Sequence, residues 1–445
     1  EGKKVFIVQS RPITTVDKKI EDKKVSPPEV PILIGSPASP GIATGPVKII
    51  QSPEEIDKIL PGDILVASQT NPDYVPAMKK AAAIVTQHGG RTSHAAIVSR
   101  ELGIPAVVGA ENALTVLKNE KIITVNGLSG EIYRGKVIKN LSVNISPQKT
   151  KDKKLNTITK IYVNLAETDE IKKALAKDVD GVGLLRAEFM IAQLGVHPKE
   201  FIRKKKEHLF INHLTANLLK FAKAFNSYPV IYRATDFKTN EYAHLLGGAK
   251  YEPHEENPML GFRGCSRFIT QPDVFMMELQ ALSKVWQLGY RNLHLMIPFV
   301  RLPWELIKVK EIINNSGLTS YPQFKLWIMV EVPNCALNLQ KFIDIGINGV
   351  SIGTNDLTMM LLGVDRDNEK VSQFYDERNP AVKNMIAEVI KKAKKANTKI
   401  GICGQAPSDF PDFAQFLVEC GIDSISLNPD TVIKTRLKIA EKEKK

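Results

Sequence analysis

From residue 161 onward, short apolar runs alternate with longer amphipathic stretches, and the runs fall at 161–165, 183–187, 230–234, 293–299, 326–332, 349–353, 400–403 and 424–427. Runs so short and so uniformly apolar suit parallel strands covered on both faces, and helices are the usual cover. Eight strand–helix units predict an α/β fold of the (β/α)8, TIM-barrel type, which carries its chemistry on the loops that follow the strands. Polar residues do gather where the runs end. The second run ends on Arg186 and the third on Arg233 and Asp236, with Arg263 farther along the same loop. The fifth ends on Glu331, the sixth on Asn355 and Asp356, and the seventh on Cys403.

Arg186, Arg233 and Arg263, aimed at one barrel mouth, would repel one another unless an anion lay between them, and guanidinium forks match phosphate or carboxylate oxygens in pairs. Glu331 and Asp356 close apolar runs, where a buried charge without a partner is costly. A hard divalent cation such as Mg2+ would remove that cost and leave positions open for substrate oxygens. Ion pairing within the protein is the other resolution. Cys403 stands between Gly401 and Gly404, poorly placed for packing and well placed to meet a ligand. An ordinary thiol pKa near about 8.5 suits proton exchange with a carbon acid. Cys265, Cys335 and Cys420 read as structural. No C-x-x-C pair suggests a zinc site or a disulfide framework, so a reducing, cytoplasmic setting is expected.

Residues 32–139 read as a separate, smaller α/β domain, flanked by polar, lysine-rich segments at 16–31 and 140–160 that read as linkers, with the barrel taking 161–445. A domain tethered by loose segments at both ends can swivel as a unit, and about 15 extended residues reach roughly 50 Å. The stretch from Gln87 to Pro105 is its most informative part. A strand-like run ends at Gly89 and Gly90, Ser93 is placed to cap a helix, and Ala95, Ala96, Ile97 and Val98 begin it. His94 would then sit at a helix N-terminus, where free N–H groups and the helix dipole stabilise an anion on the imidazole and keep the ring neutral, as a nucleophile requires. The glycines would let the backbone bend and leave room for a bulky reactant.

The 445 residues carry 61 Lys and Arg against 48 Asp and Glu, a formal net charge of +13. The lysines lie in separated clusters with no aromatic residues alternating among them, which argues against a nucleic-acid surface. No apolar run approaches a membrane span. Surplus positive charge suits anionic substrates.

The run from Gly89 to Gly109, with Arg91, His94 and the Arg100-Glu101-Leu102-Gly103-Ile104-Pro105 tail, resembles the phosphohistidine segment of the enzymes that make or use phosphoenolpyruvate. The barrel segments resemble the pyruvate-binding barrel of the same family, and the stretches 236–242, 255–258 and 404–409 look like its phosphoenolpyruvate synthase branch. The likeness implies that His94 carries a phosphoryl group between two sites, that Cys403 is the acid/base at the pyruvate methyl carbon, and that Glu331 and Asp356 bind Mg2+. It implies that Arg186, Arg233 and Arg263 hold phosphoryl group and acceptor while Asn355 positions the substrate. Residues 1–15 resemble the last strand of an ATP-grasp nucleotide domain, in which Gln9 and Arg11 would approach ATP, with most of that domain missing. The reaction implied is ATP, pyruvate and water to AMP, phosphoenolpyruvate and phosphate, of which this chain alone would perform the pyruvate half. Pyruvate phosphate dikinase, enzyme I of the sugar phosphotransferase system and a non-catalytic phosphohistidine relay are the alternatives. The likeness also implies a homodimer through the barrel, and phosphorylation of Thr92 by a regulatory kinase/phosphorylase.

Overall fold

Short strands and helices build the first part of the chain in the computed structural model, which describes residues 30–91, 93–137, 155–366, 368 and 370–444. Gln9, Arg11, Thr92 and most of the two linker segments lie outside the described residues. The strands here are β1 (Leu33–Ile34), β2 (Ser36–Ser39), β3 (Ile42–Ile49), β4 (Ile64–Ala67), β5 (Ala83–Thr86), β6 (Ala106–Val108), β7 (Ile122–Asn126) and β8 (Glu131–Arg134). They form one eight-stranded sheet in the order β1-β8-β7-β3-β4-β5-β6-β2. Pairing from β3 through β6 is parallel, and β1, β8, β7 and β2 join antiparallel.

The parallel strands read as unbroken apolar runs because both of their faces are covered. Leu65, Ala67, Ile84 and Val108 point into one core, with Ala95, Ala96 and Val98 of the helix His94–Leu102. Ile64, Val66, Val85 and Val107 point into the other, with Ile123, Val125 and Ile132. The chain enters and leaves this domain side by side. Leu33 pairs with Ile132, and the Ile32 N–H donates to the Ile132 carbonyl at 2.8 Å.

The eight later runs close into a barrel of parallel strands: β9 (Lys160–Leu165), β10 (Val182–Arg186), β11 (Val230–Arg233), β12 (Leu293–Ile297), β13 (Leu326–Val330), β14 (Gly349–Ile352), β15 (Lys399–Ile402) and β16 (Ser424–Leu427), with β16 pairing back onto β9. Each observed strand coincides with an expected run to within a residue or two. The expected fourth and fifth runs extended past Ile297 and Val330 into turns whose backbone has left the sheet. Leu184, Ile231, Met296, Met329 and Cys403 cluster inside the barrel. Space there is shared between large and small residues: a Cβ on Gly349 would lie 2.6 Å from the Trp327 ring. Outward-facing residues such as Val163, Tyr232, Leu295, Ile328 and Ile425 pack against the surrounding helices. Among the described residues no helix is long and apolar enough to cross a membrane.

The helices Glu207–Ala224 and Pro272–Gln287 supply much of that outer core, with Phe221 and Trp286 fully buried. Phe221→Ala should therefore lower stability by about 3–5 kcal/mol, read as a fall in the urea midpoint of the barrel transition. A loss under about 1 kcal/mol would show that this face of the helix is not in the core.

Candidate active site

His94 is the first residue of the helix His94–Leu102, and Gly103 ends it in the left-handed conformation with φ 64. Ser93 occupies the N-cap position with extended backbone. Its hydroxyl makes no capping bond, contrary to expectation, and is buried without a hydrogen-bond partner. The cap is built by the main chain instead: the Ser93 N–H donates to the Gly90 carbonyl, and the Ile97 N–H to the Ser93 carbonyl, both at 3.0 Å. Of the two preceding glycines only Gly89, at φ 101, needs glycine's freedom; Gly90 has open space around it and no positive φ. Thr70 Oγ1 lies 2.9 Å from His94 Nδ1 and fixes the ring. Nothing in the sequence marks Thr70, because it sits 24 residues upstream at the far end of a neighbouring strand connection.

At the barrel mouth, Arg186 and Arg233 are the last residues of β10 and β11, and Arg263 stands just before the helix Cys265–Thr270. The anions between them belong to the protein. Arg233 Nη2 pairs with Glu188 at 2.8 Å and its Nη1 approaches Asp236 at 3.4 Å. Arg263 grips Asp236 with two bonds, of 3.0 and 2.5 Å, and reaches Asp356 at 2.9 Å. The expectation that a ligand anion must separate all three arginines is thus corrected for Arg233 and Arg263. Burial works against the charge on both, but Glu188 and Asp236 at Arg233, and Asp236 and Asp356 at Arg263, more than offset it and raise their proton affinity. Arg186 differs: burial, then Arg233, push its pKa down to about 10.

Glu331 follows β13, and the Phe299 N–H donates to its Oε1 at 2.7 Å. Phe299 adopts φ 51 to aim that N–H, and its ring lies 4.1 Å beneath the Arg263 guanidinium. Asp356 does not close a strand, as expected, but lies in the first turn of the helix Thr354–Leu362. Burial, then Asp356 and Asp236, push the Glu331 pKa up to about 8, whereas Arg263 and Arg366 overcome burial and hold Asp356 low. Glu331, Asp356 and Asp236 each offer an oxygen within 4.8 Å of the others. A set of hard oxygen donors whose Glu331 member is short of positive charge fits a divalent cation. Asp236 is already claimed by both forks of Arg263, so Glu331 and Asp356 are the residues that fit it best.

Cys403 follows β15 and is 4% exposed. It packs among Leu184, Ile231, Met296 and Met329, so a place between glycines does not exclude packing after all. Its Sγ lies 3.8 Å from the Ile352 carbonyl, and burial pushes the thiol up to about 11. An ordinary thiol pKa is therefore also corrected: burial favours the protonated thiol. Asn355 accepts the Gln405 N–H at 3.2 Å through its side-chain oxygen, and Asn164 Nδ2 donates to the Cys403 carbonyl at 3.2 Å.

His94, Arg186, Arg233, Arg263, Glu331, Asn355, Asp356 and Cys403 all line one cavity of about 820 Å³, with Arg366, Lys238 and Asp236 in its walls as well. The cavity lies between the two domains, which are joined by Arg91 on Asp409 at 3.0 Å and by an Asp73–His244 pair. Sequence reasoning had passed over Thr70, Glu188 and Arg366, and Asp236 as a partner of the carboxylates. Glu188 alone carried a signal, standing two residues beyond Arg186.

A family described as "PEP-utilising enzyme, PEP-binding domain" matches residues 142–444, and "PEP-utilising enzyme, mobile domain" matches residues 59–130. The chain belongs to the PEP-utilising enzymes. Among curated relatives of this family, the chain is 46% identical to phosphoenolpyruvate synthase of Pyrococcus furiosus over 99% of its own length and 55% of the relative's. It is 45% identical to the probable phosphoenolpyruvate synthase of Staphylothermus marinus, over 99% of this chain and 57% of the relative. The figure for the Pseudomonas aeruginosa phosphoenolpyruvate synthase is 41%, over 98% and 58%. The chain thus spans somewhat more than half the length of the relatives it matches. The His94 helix falls inside the stretch matched to the mobile domain, and the arginines, carboxylates and Cys403 inside the stretch matched to the PEP-binding domain.

The turn that carries Asp236 is held from behind by Glu278, which accepts the Tyr232 hydroxyl at 2.7 Å and the Thr235 N–H at 3.1 Å. Burial pushes its carboxyl from 4.5 up to about 7. The folded state therefore binds this proton more tightly than the unfolded one. The associated stability is fully present below about pH 4.5 and is lost as the pH rises through about 7, up to roughly 3 kcal/mol. Urea unfolding of Glu278→Gln between pH 5 and 7.5 should show a flatter pH profile than the parent; parallel profiles would mean that Glu278 is ionised throughout.

Proposed function

We propose that this chain transfers a phosphoryl group between His94 and the oxygen of pyruvate enolate, making or consuming phosphoenolpyruvate as part of a phosphoenolpyruvate synthase. One observation carries the reading: His94 of one domain and Cys403, Glu331, Asp356, Arg186, Arg233 and Arg263 of the other face the same cavity.

With Nδ1 engaged by Thr70, Nε2 is the ring nitrogen we assign to the phosphoryl group. The helix N-terminus behind the ring favours negative charge on that group. Towards phosphoenolpyruvate, Cys403 Sγ takes a methyl proton from pyruvate, the enolate oxygen attacks phosphorus, and the P–N bond to His94 breaks. In reverse, His94 Nε2 attacks phosphorus, the bond to the enolate oxygen breaks, and the Cys403 thiol gives its proton to the methylene carbon. A thiol with pKa pushed up to about 11 is poised for the reverse direction; Arg186 and Arg233, which lower it, favour the thiolate that synthesis needs. Mg2+ held by Glu331 and Asp356 would supply fixed positive charge for the enolate oxygen. Arg186, which ends β10 and lines the cavity together with His94, is the arginine we assign to the incoming phosphoryl oxygens. Asn355, braced by the Gln405 N–H, orients the acceptor. Charging of His94 by ATP, with water as the second acceptor, belongs to the same proposal for the whole protein.

Incubation with radioactive phosphoenolpyruvate should label the chain, and His94→Ala should bring the label to background. A label that persists in His94→Ala would place the carrier elsewhere. Cys403→Ala should keep the label yet slow exchange of pyruvate methyl protons with deuterated water by at least about 100-fold; exchange at the parent rate would remove Cys403 from the proton transfer.

A further inference from the structure

The ion pairs between the two domains differ in how much water reaches them. Asp73 and His244 keep 29% and 57% of their side chains exposed, and a pair so placed contributes little. Asp409, by contrast, has a side chain only 1% exposed. Both arginines that pair with it come from the smaller domain. Arg91 donates to Asp409 Oδ1 from Nε at 3.2 Å and from Nη2 at 3.0 Å, and Arg100 Nη2 stands 3.8 Å from the same oxygen. A carboxylate enclosed to that degree must be answered by cations, and here the answer arrives with the other domain.

This contact reaches the turn that aims the imidazole. Arg91 stands three residues before His94, beside the turn closed by the Ser93 N–H on the Gly90 carbonyl at 3.0 Å. Arg100 holds that turn from the far end of the helix: its Nη2 donates to the Arg91 carbonyl at 2.7 Å, and its Nε to the Ala38 carbonyl of β2 at 2.6 Å. On the barrel side, Asp409 ends the short helix Ala406–Asp409, and its N–H donates to the Gln405 carbonyl at 3.2 Å. The Gln405 N–H in turn donates to Asn355, in the wall of the catalytic cavity. One carboxylate thus ties the turn before His94 to the segment after Cys403.

We propose that Asp409 is a positioning residue for phosphoryl transfer: by pairing with Arg91 and Arg100 it fixes the register in which His94 faces the barrel mouth. The inference rests on the reading of His94 as the phosphoryl carrier. Desolvating the three charges offsets much of their attraction, so they add less to how tightly the domains dock than to how they dock. A displaced pose shuts the carboxylate away from its arginines and is disfavoured for that reason. Transfer needs this discrimination, because reacting atoms must approach to about 3–3.5 Å and a misplacement of about 1 Å costs on the order of 100-fold in rate. Asp409 touches no reacting atom; it acts through the turn that carries the imidazole.

Single-turnover labelling of the full chain by radioactive phosphoenolpyruvate, paired with small-angle scattering of the same proteins, tests it. Arg91→Glu sets a second carboxylate against Asp409 at a side chain 43% exposed, where the fold tolerates it. It should slow labelling at least about tenfold, leave the half-saturating phosphoenolpyruvate concentration unchanged, and enlarge the radius of gyration. Asp409→Asn should slow labelling likewise while the radius stays near the parent's. Combined, the two should restore the parent radius and label no more slowly than Arg91→Glu alone, since both act on one contact. Labelling at the parent rate in both single variants, an unchanged radius in Arg91→Glu, or effects that multiply in the double variant overturn the role of Asp409. Scattering needs no substrate, so it separates the two readings: a parent chain that takes no label overturns His94 as carrier, and with it this role, even where the radii show the contact itself.

Discussion

Charge in a place without water is the constraint on which the rest of this molecule depends. The open end of the barrel brings guanidinium and carboxylate groups together behind closed walls, and each must find its counter-charge within the protein. Arg263 does so by clasping Asp236 while touching Asp356, and Arg233 by joining Glu188 to Asp236. Removing one member of such a lattice leaves another charge buried and alone, which is far costlier than the net worth of the pair. The lattice therefore fixes the long loop after β11, and with it the positions from which a substrate could be gripped. Its imperfections matter as much as its pairs. Glu331 is the member least balanced, short of positive charge, and a divalent cation would complete it.

The second element, the helix that begins at His94, answers the same constraint from the other domain. Its first residue, His94, lines the cavity at the barrel mouth. Arg91 and Arg100, near its start and end, both approach Asp409, which lies six residues beyond Cys403. Docking and chemistry are in this way wired to one short segment of the barrel. A shift of residues 403–409 would move the thiol and the docking acid together.

Much of this was legible in the residues. The barrel strands announced themselves because a parallel strand covered on both faces must be apolar throughout, and runs such as Leu326–Val330 have no other reason to exist. The ends of those runs pointed to Arg186, Arg233, Glu331 and Cys403 because a barrel offers its strand ends to one mouth. What could not be read was contact across distance. Asp236 and Arg263 stand 27 positions apart on a segment that folds back on itself, so nothing local shows that the acid clasps the arginine. Thr70 meets His94 only because two neighbouring strand connections end side by side. The acidity of Cys403 depends on how dry its surroundings are, and the residues beside it, two of them glycine, suggested openness where the barrel floor is in fact closed. Ser93 misled in the opposite sense: it is the residue type that caps helices, yet its hydroxyl is turned away and the main chain does the work.

The pairing of β1 with β8 has a mechanical consequence. Both strands by which the smaller domain is attached lie against each other at one edge of its sheet, Leu33 opposite Ile132. A body hung from two separated points can only stretch or twist its supports, whereas one hung from a single edge turns like a door on its post. The sweep of such a door is set by the distance from post to latch, and here the imidazole rides on the helix between β5 and β6, the sixth and seventh strands counted from β1. A modest rotation at that edge would thereby give the imidazole a wide arc.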